Sequence, residues 1–289
     1  MQILLTGSGT LIGNNLAQYL AKKKIKLICS YRKHFPINIS KNKKIKLIKI
    51  DLEKKIKIKD NFDTLIHCAA AIPSYNLSKK KMFKINIDGF KNLLQICKKN
   101  KCKKIILLST TSVYGKVKIK DLKENYRGCR IKSYGKSKLE MENILQKFCK
   151  ENKCSGTIFR MPGVLGKNSK HNFLTKMLDL ITKKKHTIVF NPNLKFNNAI
   201  HIKNLCNIVF QSLTKKKFGI YNIGSKYPLK LKNIISLMIN NIHGKNLKNL
   251  VTYKRSNKKG FRINVKKALK EKYKLYNTKK TILDFINGD

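Results

Sequence analysis

Gln2-Ile3-Leu4-Leu5-Thr6-Gly7-Ser8-Gly9-Thr10-Leu11-Ile12-Gly13 is the stretch on which the fold turns. Its first five residues read as a strand, and apolar residues at helical spacing continue over 11–23. A glycine turn between a first strand and a first helix aims backbone N–H groups and the helix N-terminus at a phosphate. Gly7 permits the tight turn, Gly9 lets the backbone approach a pyrophosphate, and Gly13 allows close packing of helix on sheet. Thr10, Leu11 and Ile12 share that loop and first helical turn, and are read with the glycines as cofactor-binding residues.

Outward from this turn, short β-rich runs alternate with helical patterns. Strands are expected over 26–30, 45–50, 64–68, 104–108 and 157–160, and helices over 82–99 and 134–150. The alternation, with strands that are nearly continuous apolar runs, implies an α/β fold of the Rossmann type: a doubly wound parallel sheet covered on both faces. After Pro162 the pattern loosens, with helices expected over 173–184, 203–213, 229–241 and near 281–286, and a strand over 219–222. The reading is a dinucleotide-binding domain over 1–162 with 197–223, and a smaller C-terminal substrate-binding domain over 163–196 with 224–289.

Sixty-six Lys plus Arg against 14 Asp plus Glu give the 289 residues a net charge of +52. Only six of the cations are Arg, and Asn and Ile are abundant, a combination that A/T-rich codons favour. The lysines are spread through helices and loops with no basic tail, so a specific nucleic-acid partner is not expected, although weak polyanion binding at low salt is. Against this background Arg32, Arg127, Arg130, Arg160, Arg255 and Arg262 mark positions where a planar, bidentate donor matters. An apolar content of 42% argues against wholesale disorder, and no apolar run approaches a membrane span. Met1–Leu5 runs into the glycine turn without a basic leader, so no signal peptide is expected. The eight Cys never form Cys-x-x-Cys, which fits a reduced cytoplasmic protein with no metal site.

The turn resembles the T-G-x-x-G-x-x-G motif of the extended short-chain dehydrogenases/reductases, the NAD(P)-dependent epimerase/dehydratase family, with Thr10 where that family has its middle glycine. The resemblance extends over nearly the whole chain. NAD-preferring dinucleotide folds carry an acid after the second strand, on the ribose hydroxyls. Here Ser30 and Arg32 stand there, which suits the 2′-phosphate of NADP, with NAD as the alternative cofactor. Asp51-Leu52 resembles the family's adenine-contacting pair, and Leu65-Ile66-His67-Cys68-Ala69-Ala70 resembles V-I-H-x-A-A, which implies that Cys68, Ala69 and Ala70 lie beside the cofactor. His67 and the Asn residues of Asn86-Ile87-Asp88-Gly89-Phe90-Lys91-Asn92 read as structural.

Ser133-Tyr134-Gly135-Lys136-Ser137-Lys138 puts Tyr134 and Lys138 one helical turn apart on one face. A phenol has a pKa of about 10, and bringing it near 7 takes roughly 4 kcal/mol. One ammonium about 4 Å away supplies roughly that at an effective dielectric near 20, so Lys138 is expected to lower the Tyr134 pKa. In a lysine-rich chain the pair gains weight from its companion, Ser109-Thr110-Thr111-Ser112-Val113-Tyr114-Gly115, which resembles S-S-x-x-V-Y-G. The resemblance implies Thr110, Tyr134 and Lys138 as the catalytic group, Lys138 also binding the nicotinamide ribose, and Thr111, Ser112 and Tyr134 facing substrate.

In the second half Arg160-Met161-Pro162-Gly163-Val164-Leu165-Gly166 resembles R-x-x-N-V-Y-G, with Gly163 in place of the Asn that contacts a substrate diphosphate. His171, Asn172, Asn197 and Asn198 offer donors and acceptors for sugar hydroxyls, and Arg255 and Arg262 fall where the family pairs Arg with the diphosphate. The implied activity is hydride transfer on a nucleotide-sugar, as a 4-keto reductase or a 4-epimerase in surface-polysaccharide sugar synthesis. Family dehydratases carry Asp-Glu directly after the catalytic Thr; Thr111 and Ser112 argue against dehydration here. A homodimer is left open. The rival reading is a non-catalytic NADP-sensing protein on the same fold; such proteins lose the Tyr/Lys pair that this chain keeps.

Overall fold

A computed structural model describes residues 1–73, 77–170, 172–244, 248–257 and 260–288. The chain divides into two compact units, 1–116 with 127–160 and 206–221, and 117–126 with 161–205 and 222–289.

The first unit is built on a seven-stranded sheet. Its strands are β1 (Gln2–Thr6), β2 (Lys26–Tyr31), β3 (Ile45–Lys49), β4 (Thr64–His67), β5 (Lys104–Thr110), β6 (Ser155–Met161) and β7 (Gly219–Asn222), in the order β7-β6-β5-β4-β1-β2-β3. β1 runs parallel to β2, with Thr6 opposite Ser30, and parallel to β4, with Thr6 opposite His67. The strand order reverses direction at β1, which is where open parallel sheets bind ligands beyond their C-terminal edges.

Ile3, Leu4 and Leu5 are all fully buried although their side chains alternate, so both faces of the sheet are covered. Helices α2 (Gly89–Lys99) and α3 (Ser133–Glu151) close one face, packing Phe90, Leu93, Met141 and Leu145 against Leu4, Leu65 and Ile105. Helix α1 (Leu11–Lys22) buries Leu16, Ala17 and Leu20, and its Tyr19 hydroxyl donates to Asn207 Oδ1 at 3.3 Å. A π-turn at Lys84–Asp88 leads into α2 and carries Asn86. There the Asn86 amide bonds both backbone groups of Ala71 and donates to Ser137 Oγ, tying the loop after β4 to α3.

In the second unit Gly163–Leu165 pairs with Ala199–His201, and Asp121–Leu122 pairs with Arg262–Ile263. These pairings explain why 117–126 and 197–205 group with the second unit and not with the expected first domain. Helices Phe173–Thr182, Leu231–His243 and Thr278–Ile286 share one core through Met177, Ile235, Met238 and Ile282. No helix among the described residues is long and apolar enough to cross a membrane.

Candidate active site

The turn after β1 has a geometry that glycine alone permits. Gly7 has φ +80°, and a Cβ there would lie 2.9 Å from the Ala69 nitrogen. A Cβ on Gly9 would collide with the His34 carbonyl oxygen, and one on Gly13 with that of Gly7. Thr10 is the N-cap of α1: its hydroxyl donates to Gly7 O at 2.8 Å and accepts from Gly13 N at 3.2 Å. The family's middle glycine is thus replaced by a residue that satisfies one of the orphan N–H groups of the helix.

Beyond β1 a cleft is lined by Gly7, Gly9, Thr10, Ser30, Leu52, Ala69 and Ala70, all read from the sequence as cofactor contacts. Arg32 lines it too and is exposed. Lys33, His34 and Ile85 also line it and were not singled out; a lysine-rich background hides Lys33, and His34 enters through the loop that carries Arg32. Small side chains, a glycine turn and a capped helix N-terminus fit the pyrophosphate and adenosine of a dinucleotide. No carboxylate is among the described residues of this wall.

Asp51, Leu11, Ile12 and Cys68 are not in the lining. The Asp51 carboxylate instead accepts from Glu53 N at 3.1 Å, shaping the turn after β3. Leu11 and Ile12 are half-buried in the first turn of α1. The N–H groups of Cys68 and Ala69 donate to the Thr6 hydroxyl at 3.2 and 3.3 Å, which fixes this loop on β1. Burial pushes the Cys68 thiol up, against the opposing pull of the nearby Lys138 ammonium. His67 is fully buried, contacts Thr6 Oγ1 at 2.8 Å and stacks on Phe90, so it holds the strand ends together.

Thr110 ends β5 and caps the following 3-10 turn, accepting from Ser112 N at 3.1 Å and donating to Ser112 Oγ at 3.2 Å. Gly135 brings the first turn of α3 against this cap: a Cβ there would collide with the Ser112 carbonyl oxygen. Tyr134 and the Thr110–Ser112 turn therefore belong to one cluster. Lys138, one turn along, is only 2% exposed. Burial lowers its pKa to about 8, although Glu142 pulls the other way.

Tyr134 differs from expectation. Burial pushes its phenol above the ordinary value, so in the chain alone the lowering expected from Lys138 does not appear. Burial disfavours the charged phenolate, and that desolvation is the cause of the shift.

Glu142 was missed, although its place one turn beyond Lys138 on α3 is a readable signal. It is 1% exposed and accepts from the Ser109 hydroxyl. Arg160 grips it in bidentate fashion, with Nη2 donating to Oε2 at 2.7 Å and Nε to Oε1 at 3.2 Å, and donates through Nη1 to the Tyr114 hydroxyl at 2.9 Å. Burial acts against the Arg160 charge, but Glu142 outweighs it and holds the guanidinium above its ordinary value. This network locks β5, α3 and β6 behind the cluster of Thr110, Tyr134 and Lys138.

In the second unit several expected sugar contacts are committed to the backbone. Asn172 is an N-cap, its Oδ1 accepting from Thr175 N at 2.9 Å within a capping box. Asn197, 1% exposed, donates to Ser225 O and Ile263 O and accepts from Ile263 N, so its amide is fully used. Asn198 donates to Phe261 O at 3.2 Å while its buried Oδ1 has no partner among the described residues. His171 lies outside the described residues.

Arg255 and Arg262 do meet, with Lys118, Lys120 and Lys195, on a cleft of about 880 Å³ within this unit. That is within the roughly 300–1,000 Å³ of small-molecule sites. Arg262 Nε also donates to Asp121 Oδ1 at 2.9 Å, leaving the cleft strongly basic.

Residues 3–224 match the model of the NAD dependent epimerase/dehydratase family. A dTDP-D-glucose 4,6-dehydratase of Dictyostelium discoideum is 28% identical over 83% of the chain, which spans only 62% of that relative's length. A GDP-6-deoxy-D-talose 4-dehydrogenase of Aggregatibacter actinomycetemcomitans is also 28% identical, over 74% of the chain and 71% of its own length. In shape the chain is similar to UDP-glucuronic acid 4-epimerase from Bacillus cereus, a structure with NAD bound, at TM-score 0.79 and 23% identity over 100% of this chain and 98% of that one. A glycine turn capped by Thr10, a threonine at the end of β5 and a Tyr/Lys turn at the head of α3 are thus carried by a chain that belongs to the NAD dependent epimerase/dehydratase family.

Proposed function

We propose that the chain is an NADP(H)-dependent oxidoreductase of nucleotide-activated sugars that reduces a 4-keto group, with C4 epimerisation as the alternative outcome of the same chemistry. The observation that carries this reading is the cluster of Thr110, Tyr134 and Lys138 in the unit whose cofactor cleft has an Arg32-Lys33 wall without a carboxylate. The names of the relatives share a sugar carried on a nucleoside diphosphate and a reaction at position 4. A place in polysaccharide sugar synthesis follows from that substrate class.

When bound, the nicotinamide supplies or takes the hydride. The chain's own residues manage the oxygen. Thr110 Oγ1 turns its proton from Ser112 Oγ to the sugar oxygen and orients it. The Tyr134 phenol gives that oxygen a proton, and its raised pKa keeps it protonated at neutral pH, as a reductase requires. The Lys138 ammonium stabilises the phenolate left behind and holds ribose hydroxyls. Dehydration would need a carboxylate acid/base pair. Thr111 and Ser112 supply none, and Glu142 is occupied by Arg160 and Ser109. In the second unit Arg255, Arg262 and the neighbouring lysines suit a diphosphate, and the unpartnered Asn198 Oδ1 suits a hydroxyl donor.

The test is binding and turnover of UDP-, GDP-, CDP- and dTDP-sugars and their 4-keto forms with NADPH and NADH. NADPH should bind more tightly than NADH. Arg32→Ala should weaken NADPH roughly tenfold, about 1.4 kcal/mol, while leaving NADH unchanged. Protein that retains NAD through purification and interconverts C4 epimers with no added cofactor would overturn the reductase reading in favour of the epimerase.

A further inference from the structure

Four of the eight cysteines, dispersed in the sequence, meet at the edge of the sheet where β5 and β6 begin, opposite the ends that carry Thr110 and Thr6. Cys97 and Cys102 bracket the C-terminus of α2, and Cys149 and Cys154 bracket that of α3. Both pairs have the same spacing and the same turn. Cys102 N donates to Cys97 O at 2.9 Å with Lys101 at φ 50°, and Cys154 N donates to Cys149 O at 3.2 Å with Lys153 at φ 50°. This is the Schellman turn, in which the two flanking side chains are pressed together, usually as an apolar contact. Two other turns of the chain follow that habit: the same bond closes Leu20 on Ile25 and Ala268 on Tyr273. At α2 and α3 the contact is made of two thiols.

The two pairs differ in access. Cys97 and Cys102 are buried, and the Cys102 thiol donates to Phe62 O at 3.5 Å. Cys154 is partly exposed and its Sγ lies 3.5 Å from that of the buried Cys149. A buried ammonium faces this pair: Lys104 Nζ donates to Ser155 Oγ, Thr157 Oγ1 and Lys215 O at 3.0, 2.8 and 2.7 Å. The charged groups around it are Lys104 on β5 and Lys215 before β7, with the Cys97 thiol on α2. Among the described residues, no carboxylate appears among the groups acting on either thiol.

We propose that Cys149 and Cys154 form a redox-modification site that takes a low-molecular-weight disulfide as co-substrate and closes to an intramolecular disulfide across the end of α3. The contact with Cys149, and the Lys104 charge, lower the Cys154 pKa against the effect of burial, while the same contact and burial raise that of Cys149. Cys154 is therefore the attacking thiolate. Its Sγ bonds to one sulfur of the small disulfide, whose S–S bond breaks; the departing thiolate takes up the proton that Cys154 released. Cys149 then gives up its proton and attacks Cys154 Sγ. The bond to the small molecule breaks, and a second small thiol leaves with that proton. Two protein thiols are oxidised and one small disulfide is reduced to two thiols. The turn already holds the sulfurs in contact, so closure to the bond length of about 2.05 Å takes a side-chain adjustment of roughly 1.5 Å.

The buried Cys97/Cys102 pair is the internal control, with an identical turn and no access. Native protein is incubated with oxidised glutathione, alkylated, and mapped by mass spectrometry. Two of the eight cysteines, Cys149 and Cys154, should lose alkylation with a mass loss of two hydrogens, reversed by dithiothreitol, while Cys97 and Cys102 remain thiols until the protein is unfolded. Cys149→Ala should trap glutathione on Cys154 as a stable mixed disulfide, and Cys154→Ser should take up none at either position. The proposal is overturned if both thiols stay free in the wild-type protein, if wild-type Cys154 accumulates as the mixed disulfide, or if the buried pair oxidises first.

Discussion

Lys138 is the side chain whose protonation the proposed chemistry can least do without. It is almost wholly buried, and its pKa falls to about 8. Its ammonium is present below that pH and lost above it, whereas Tyr134, pushed the other way, stays protonated throughout. Turnover should therefore fall as pH rises through about 8. A pH–rate profile that stays flat to the alkaline side of that value would count against an ionised Lys138 in the reaction. Tyr134→Phe should cost about 10²- to 10⁴-fold in kcat, the usual worth of a general acid, with NADPH binding retained. Glu142→Gln makes a double prediction. It strips the carboxylate from a buried guanidinium, which costs about 3–5 kcal/mol in denaturant unfolding. It also removes the charge that props up Lys138, so the alkaline limb of any residual activity should move to lower pH. At this scale the sequence marks side chains with the right donors and acceptors but not the partners they take in the fold. Arg160 and Arg262 stand out against the lysines as bidentate donors, and in the folded chain both grip carboxylates, Glu142 and Asp121. Asn172 and Asn197 have the same donors and acceptors whether they face a sugar or a backbone, and only the fold shows that helix and strand ends use them.

Helix ends carry the next lesson. Five lysines, Lys24, Lys101, Lys153, Lys184 and Lys272, sit just past helix C-termini at φ between 50° and 63°. Glycine is the usual residue there, and an L side chain in this region costs roughly 1–2 kcal/mol. Lysine is abundant and the chain has only 15 Gly, so it carries this strain at several turns. Replacing Lys24 with Gly should raise stability by roughly 1 kcal/mol, less the backbone entropy that glycine adds to the unfolded chain. The midpoint of urea unfolding measures it, and a lower midpoint would refute the assignment of strain. At the opposite end of α1, Thr10→Ala should cost about 1 kcal/mol by removing the cap. The sheet strands and long helices were legible because their patterns repeat over many residues; β1, β7 and α3 fall within a residue or so of their expected bounds. The short pairings were not. Asp121–Leu122 and Arg262–Ile263 are two residues each and 141 apart in register, too short to carry a period and joined only by tertiary contact. The meeting of four cysteines is of the same kind, because it depends on β5 and β6 being neighbours in the sheet.

At the scale of the whole molecule the net charge of +52 is a load on the folded state, since 14 acids cannot pair 66 cations. The surface ion pairs that exist, such as Lys46–Asp60, Lys183–Asp179 and Lys280–Asp284, are worth at most about 1 kcal/mol each, and salt weakens them. Salt weakens the repulsion among the many unpaired cations as well, and the two effects have opposite signs. The Debye length falls from about 30 Å at 0.01 M to about 3 Å at 1 M, so repulsion that reaches across the molecule at low salt becomes local. With cations in nearly fivefold excess over acids, relief of repulsion should win. Thermal unfolding should therefore shift upward as sodium chloride is raised from low to molar concentration, the reverse of what a fold held by surface pairs would show. Sodium sulfate strengthens burial of apolar surface on its own account, so chloride is the cleaner probe. A polyanion such as heparin should stabilise the chain at low salt and lose that effect as salt rises. Charge spread over both units further requires that no single cluster of Lys→Gln changes abolish the response. If one cluster did, the charge would form a docking face and not a diffuse background. A melting temperature that fell with chloride would show instead that the few carboxylates carry more of the stability than their number implies.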